Sequence, residues 1–191
     1  TLSAVDAVNF NEDSSTSIAL SGSDVDGDDL TYSISGGTDI TAALDGTTVT
    51  FTASQDFNGS ESFTATVTDG EYSSSQTFTV TVTPVNDAPT LAVVPGVSFA
   101  EDSSTLIQLS ASDVDGDDLT YSISGGTDIT AALDGTTVTF TASQDFNGSE
   151  SFTATVTDGE YSSSQTFIVT VNAVNDAPTL SAVDAVNFNE D

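Results

Sequence analysis

Lysine, arginine and histidine are absent from the 191 residues, whereas aspartate and glutamate number 30, giving a formal charge of −30. Without cationic side chains the chain has nothing to neutralise phosphates, so nucleic acid is excluded as a partner. Cysteine, methionine and tryptophan are missing too. With no His, Cys or Lys there is no imidazole base, thiolate or Schiff-base amine, which removes most covalent and acid/base chemistry and leaves only paired carboxylates or a metal. Disulfides, thiolate zinc sites and Lys-Asn isopeptide cross-links are equally ruled out. Long apolar runs are lacking: the longest, Leu91 to Val94, falls far short of the roughly 18 to 20 residues that span a bilayer, so no membrane insertion is expected. The chain opens at Thr1 without a charged-then-apolar leader, which places any signal peptide outside this segment.

What is present is repetition. Residues Ser23 to Phe78 return letter for letter as Ser112 to Phe167, a shift of 89, and Thr1 to Asp13 returns unchanged as Thr179 to Asp191. The expected organisation is repeat 1 at 1–89, repeat 2 at 90–178, and the first strand of a truncated third repeat at 179–191. Within each repeat apolar residues alternate with Thr or Ser, as half-buried strands require. Leu30, Tyr32 and Ile34 mark one strand; Val49, Phe51 and Ala53 another; Phe63, Ala65 and Val67 a third; Phe78, Val80 and Val82 a fourth. The pairs Val8/Phe10, Ile18/Leu20 and Ile40/Leu44 add three more. Gly36-Gly37, Asp45-Gly46, Asn58-Gly59 and Asp69-Gly70 read as tight turns between them. Asn58-Gly59-Ser60 also matches a glycosylation sequon but is read as a hairpin turn. Seven short strands in about 90 residues predict an all-β chain of tandem seven-stranded immunoglobulin-like sandwiches.

The acids collect in turns and at repeat ends. Each repeat carries SDVDGDDL, with Asp24, Asp26 and Asp28 at alternate positions around Gly27, and Asp113, Asp115 and Asp117 around Gly116. Two carboxylates about 4 Å apart repel by roughly 1 kcal/mol in water and about 4 kcal/mol at an effective dielectric near 20. An oxygen-only cluster of this charge suits Ca²⁺, which takes six to eight oxygens in flexible geometry.

These motifs resemble the cadherin-like tandem repeats of large bacterial surface proteins and adhesins. NED, DVDGD, FNG, VTDG and VNDAP recur in that family's order across the whole repeat. LSASDVDG running into LTYSI, Val67-Thr-Asp69-Gly and Val85-Asn86-Asp87-Ala-Pro89 look like cadherin's DxD strand, its VxAxDxG segment and a shortened xNDNxP linker. The linker is one residue short, and the LDRE glutamates are represented only by Gln55-Asp56. The resemblance implies calcium held between consecutive domains. If strands alternate down and up, Glu12 and Asp56 fall at the lower end of repeat 1, and Asp113, Asp115 and Asp158 at the upper end of repeat 2. With the linker residues Asn86 and Asp87 they make the expected calcium set, with Asp117 as an outer ligand. The second junction is half present as Glu101, Asp145, Asn175 and Asp176; Asp24, Asp26 and Asp69 await a preceding linker.

The implied role is an extracellular, cell-surface spacer whose partners are neighbouring repeats of the same chain. The alternative is a calcium-dependent recognition module binding polysaccharide or another copy of itself, with Tyr32, Tyr72, Tyr121 and Tyr161 as stacking candidates. No enzymatic role is expected, because paired acids can cleave glycosidic bonds but these lie in repeated turns without varied polar company.

Overall fold

A computed structural model describes residues 1–188. The described residues form strands and loops without a helix, so no helix is long and apolar enough to cross a membrane. The chain divides into two compact units, Thr1–Asn86 and Asp87–Asp191.

The first unit contains β1 (Val8–Asn11), β2 (Ser15–Ala19), β3 (Thr31–Gly36), β4 (Ile40–Asp45), β5 (Thr48–Ala53), β6 (Gly59–Thr68) and β7 (Ser73–Thr83). The seven expected strands are all present. One sheet runs β1-β7-β6-β3 and the other β2-β5-β4. Neighbours pair antiparallel except the first and last strands: β1 lies parallel to β7, Val8 opposite Val80 and Phe10 opposite Val82. The alternation read from the sequence sets which side of each strand is buried. Phe63, Ala65 and Val67 of β6 face inward with Val49 and Phe51 of β5, and one apolar core joins both sheets. At its centre Phe51 meets Phe63 edge-on at 5.2 Å between ring centroids and Phe78 at 6.0 Å, the arrangement that aromatic quadrupoles favour.

The second unit repeats this plan. It contains β8 (Thr90–Leu91), β9 (Val97–Ala100), β10 (Ser104–Gln108), β11 (Ala111–Ser112), β12 (Thr120–Gly125), β13 (Ile129–Asp134), β14 (Thr137–Ala142), β15 (Gly148–Thr157) and β16 (Ser162–Asn172). Its sheets run β9-β16-β15-β12 and β10-β14-β13, and β8 pairs with β11. The counterpart of that short pair in the first unit is a single bridge from Leu2 to Gly22. Phe140, Phe152 and Phe167 restore the aromatic trio.

Three expectations are corrected. The β4–β5 hairpin closes through Gly46 and Thr47, Asp45 itself pairing with Thr48. Asn58-Gly59 is no hairpin turn: the bend lies at Gln55-Asp56, Phe57 N donates to Ser54 O at 3.1 Å, and Gly59 begins β6. The copy of β1 at residues 186–188 forms no strand, and Val186 and Phe188 are 81% and 90% exposed, against 7% and 8% for Val8 and Phe10. In the first unit the same sequence is held as a strand by its pairing with β7. Asn189, Glu190 and Asp191, the rest of that expected strand, lie outside the described residues.

Glu61 carries a role that its sequence neighbourhood does not signal. From β6 it accepts the backbone N–H groups of Thr38, Asp39 and Ile40 at 2.9, 3.1 and 2.9 Å, fastening one sheet to the segment that enters β4 of the other. Glu150 does the same with Thr127, Asp128 and Ile129. Gly37, at φ +79°, makes the approach possible, since a Cβ there would sit 2.1 Å from Ile40 O. Burial pushes the Glu61 carboxyl up, but the three backbone donors outweigh it and hold it below its ordinary value.

The packing and this latch can each be tested by substitution. Phe63→Ala should destabilise the first unit by about 3–5 kcal/mol, the range for truncating a buried aromatic, measured by urea denaturation. Glu61→Gln should cost about 1–3 kcal/mol at neutral pH through its weakened charged hydrogen bonds. Because the folded carboxyl titrates lower than the unfolded one, that stabilisation is complete above the ordinary glutamate value and disappears as pH falls through the folded value. The gap between Glu61→Gln and the parent chain should therefore close in acid; a gap that stays constant would exclude the latch.

Candidate metal centre

Strand register sorts the acids to the two ends of each sandwich. In the second unit Thr157 pairs with Ser162 and with Thr120, which puts the β15–β16 loop and the SDVDGDDL loop at one end. Gly148 pairs with Val171, and Ala100 with Asn172, which puts the loops at Asp145 and Glu101 at the opposite end.

At the upper end Asp113 Oδ1 accepts the N–H groups of Asp115, Gly116 and Asp117 at 3.0, 3.1 and 3.4 Å. Asp115 Oδ2 accepts the N–H of Asp87 at 2.8 Å. One oxygen from each of Asp113, Asp115 and Asp117 lies within 4.8 Å of the others. Asp158 Oδ1 accepts from Glu160 and Tyr161, both at 2.6 Å. Burial, then the charges of Asp113, Asp115, Asp158 and Asp118, push the Asp117 carboxyl above its ordinary value. Asp113 Oδ2 is buried and meets no hydrogen-bond donor among the described residues. A buried carboxylate oxygen without a donor is costly unless a cation meets it. The oxygen-only donors and this orphaned atom therefore fit a hard divalent ion such as Ca²⁺.

At the lower end Glu101 is buried, its Oε1 accepting from Val174 N. One oxygen each of Asp102, Asp145 and Asp176 lies within 4.8 Å of the others. Asp176 is raised by burial and by Asp145, Asp102 and Glu101. Asn175 turns its amide toward Asp176 O at 3.1 Å. Asp102 and Asp145 both hold φ of +57°, a region that Asp enters more readily than most residues.

The first unit carries the same parts. At its lower end Glu12 is 4% exposed and accepts from Val85 N, while Asp13 and Asp56 hold φ of 55° and 56°. Asn86 ends this unit, half-buried, and Asp87 begins the next. At its upper end Asp24 Oδ1 accepts from Asp26 and Gly27 at 2.8 and 3.1 Å. Asp69 accepts from Glu71 and Tyr72, and its carboxyl is lowered chiefly by Tyr72, then by Glu71. Asp24, Asp26 and Asp28 do not gather as Asp113, Asp115 and Asp117 do, although the eight residues are identical. In the second unit Asp115 has the N–H of Asp87 to hold it.

Asp102, with its copy Asp13, is the residue the sequence reading missed. The signal was the recurring NED, whose final acid follows the buried glutamate directly and reaches a partner by way of its left-handed backbone.

A family model described as "Bacterial Ig domain" matches residues 1–83 and 86–172. Among curated proteins none matches the chain in sequence. Among solved structures, human protocadherin-24 EC1-2 is similar over 88% of this chain and 95% of its own, at 17% identity and a TM-score of 0.57. Drosophila N-cadherin EC1-4 is similar over 87% of this chain and 46% of its own, at 18% identity and 0.55. An endo-fucoidan hydrolase of glycoside hydrolase family 107 aligns over 90% of this chain at 20% identity and 0.37, and the chain spans only 28% of that protein's length. The cadherin likenesses support the sandwich fold.

Neutralising Asp117 should reveal the repulsion. In EDTA, Asp117→Asn should raise the melting temperature, because the folded chain holds that charge at a disadvantage; with millimolar calcium the order should reverse. A lower melting temperature for the variant in EDTA would contradict the crowding of charge.

Proposed function

Because the chain belongs to the bacterial Ig domain family and carries two of its domains in tandem, we propose that it is a structural extender of a repetitive extracellular surface protein or adhesin, its linkers stiffened by calcium. The observation that carries this reading is the buried, donorless Asp113 Oδ2 inside a cluster of acids that backbone N–H groups aim at one point. The ion would be held at the upper end of a repeat by Asp113, Asp115, Asp158 and the outer Asp117, and at the lower end by Glu101, Asp102, Asp145 and Asp176, with the copies of these residues serving repeat 1. Glu12, Asp56, Asn86 and Asp87 supply the linker set. Calcium would contribute positive charge that removes the repulsion among these acids and fixes the linker backbone. Extracellular calcium at millimolar levels suffices for the weaker class of such sites. The acids act as oxygen donors in this reading, and no catalytic step is assigned to them.

Tyr72, 72% exposed beside the acidic upper loops, favours a second reading as a calcium-dependent polysaccharide or homophilic recognition module; a glycan array in calcium and in EDTA distinguishes the two.

For the extender, calcium should raise the melting temperature by binding linkage and narrow the distribution of end-to-end distances in small-angle scattering, with EDTA reversing both. Magnesium at equal concentration should do less, since it surrenders its water reluctantly. Identical curves in calcium and EDTA would defeat the proposal.

A further inference from the structure

The segment ahead of β1 changes sheets. Ser3 N donates to Ser21 O at 2.8 Å, holding the segment beside the strand line of β2, and Val5 N donates to Gln76 Oε1 at 2.8 Å, drawing it across to β7. Because β2 pairs with β5 on one side only, the diverging chains leave a slot of about 400 Å³ between them, within the roughly 300–1,000 Å³ of small-molecule sites. The second unit makes the same crossing, Ala92 N donating to Ser110 O at 2.8 Å and Val94 N to Gln165 Oε1 at 3.0 Å, yet the floor differs. Val5 and Ile18 are half-buried in the first unit, whereas their copies Val94 and Ile107 are buried, at 9% and 8% exposed. Asp6 and Ala19, which line the slot, correspond to Pro95 and Gln108 in the second unit. We propose that the slot of the first unit binds a small amphiphilic cation, an apolar ring or short chain that carries one ammonium group.

The floor of Val5 and Ile18 takes the apolar body, whose removal from water supplies affinity. The rim takes the charge. Asp6 lines the slot, and the chain has no cationic side chain of its own to answer it. A second oxygen comes from the backbone: Leu20 N donates to Thr47 O on the β5 side, so across a planar trans peptide the carbonyl of Ala19 points the opposite way, to the side where the slot lies. An ammonium group has three N–H donors, and its bond to a carboxylate is of the strong, charge-assisted kind. A net charge of −30 draws any cation toward the chain, but only the slot selects for an apolar body, which a hydrated metal ion lacks. The slot shares no residue with the acids assigned to calcium. In the second unit Pro95 brings no carboxylate, and the longer Gln108 stands where Ala19 leaves room, so one site per chain follows.

Phenethylammonium is the probe, titrated into the isotope-labelled full chain in EDTA at physiological ionic strength and followed by amide NMR shifts. Saturable shifts confined to residues 3–8 and 18–21 are expected, with a dissociation constant on the order of 1 mM for a ligand of this size in an open slot. Ethylammonium, which has the charge without the ring, and phenylethanol, which has the ring without the charge, should each bind at least about tenfold more weakly. Asp6→Asn should weaken phenethylammonium about tenfold, and Ala19→Gln should abolish its binding in a chain whose other amide shifts match the parent. Rebuilding the slot in the second unit with Pro95→Asp and Gln108→Ala should add a second set of shifts at residues 92–97 and 107–110. Equal shifts from phenethylammonium and ethylammonium, or shifts concentrated in the acidic end loops, mean attraction to net charge alone and overturn the proposal. Equal affinity for phenylethanol overturns the cationic assignment, and a folded Ala19→Gln chain that binds as the parent does overturns the assigned seat.

Discussion

Thirty carboxylates in a chain without a single cationic side chain leave few ways to compensate a charge: water, a backbone N–H, or an ion from outside. The fold uses the second throughout. Glu61 and Glu150 each collect three backbone donors, Asp113 also collects three, and Asp69 and Asp158 collect two each. Strand faces meanwhile are ruled by Ser and Thr, whose hydroxyls pair across strands, as Ser60 does with Thr81 and Thr66 with Ser75. The charge is thereby pushed to the two ends of each sandwich.

Concentrating acid at the ends has an energetic cost that the cores must cover. Each unit is small, and its stability rests on one apolar cluster centred on three phenylalanines. The loops at the ends are where compensation is least complete, as the raised carboxyls of Asp117 and Asp176 record. Stability and the crowding of charge are therefore written in different parts of the same repeat: the first in the Phe trio and the Glu latch, the second in the end loops.

The strands were legible because alternation of Val, Phe and Ala with Thr, at positions such as Val49 to Ala53, is a local property that burial then obeys. The family to which the motifs pointed was legible for the same reason, each motif being a short run. The sorting of acids to the ends was legible once seven strands were counted. What was not legible depends on contacts distant in sequence. Glu61 reads as one more acid in a polar strand until the Gly37 bend brings residues 38–40 against it. Asp102 looks redundant beside Glu101 until its backbone turns left-handed. The hairpin at Gly46 slipped by one position because Asp45 and Gly46 are both good turn formers, and only the pairing of Asp45 with Thr48 decides between them. The unlike shapes of two identical SDVDGDDL loops lie beyond any local reading, since Asp115 is held by the N–H of Asp87, 28 residues away.

The parallel alliance of the first strand with the last has a mechanical meaning. Tension applied at the two termini of a sandwich drags β1 and β7 in opposite directions along their own length, so the hydrogen bonds between them lie across the line of pull and bear it jointly. A hairpin loaded from its open end unzips one rung at a time; this pair must yield all at once. A tether assembled from such modules resists stretching at the place where each one is entered and left.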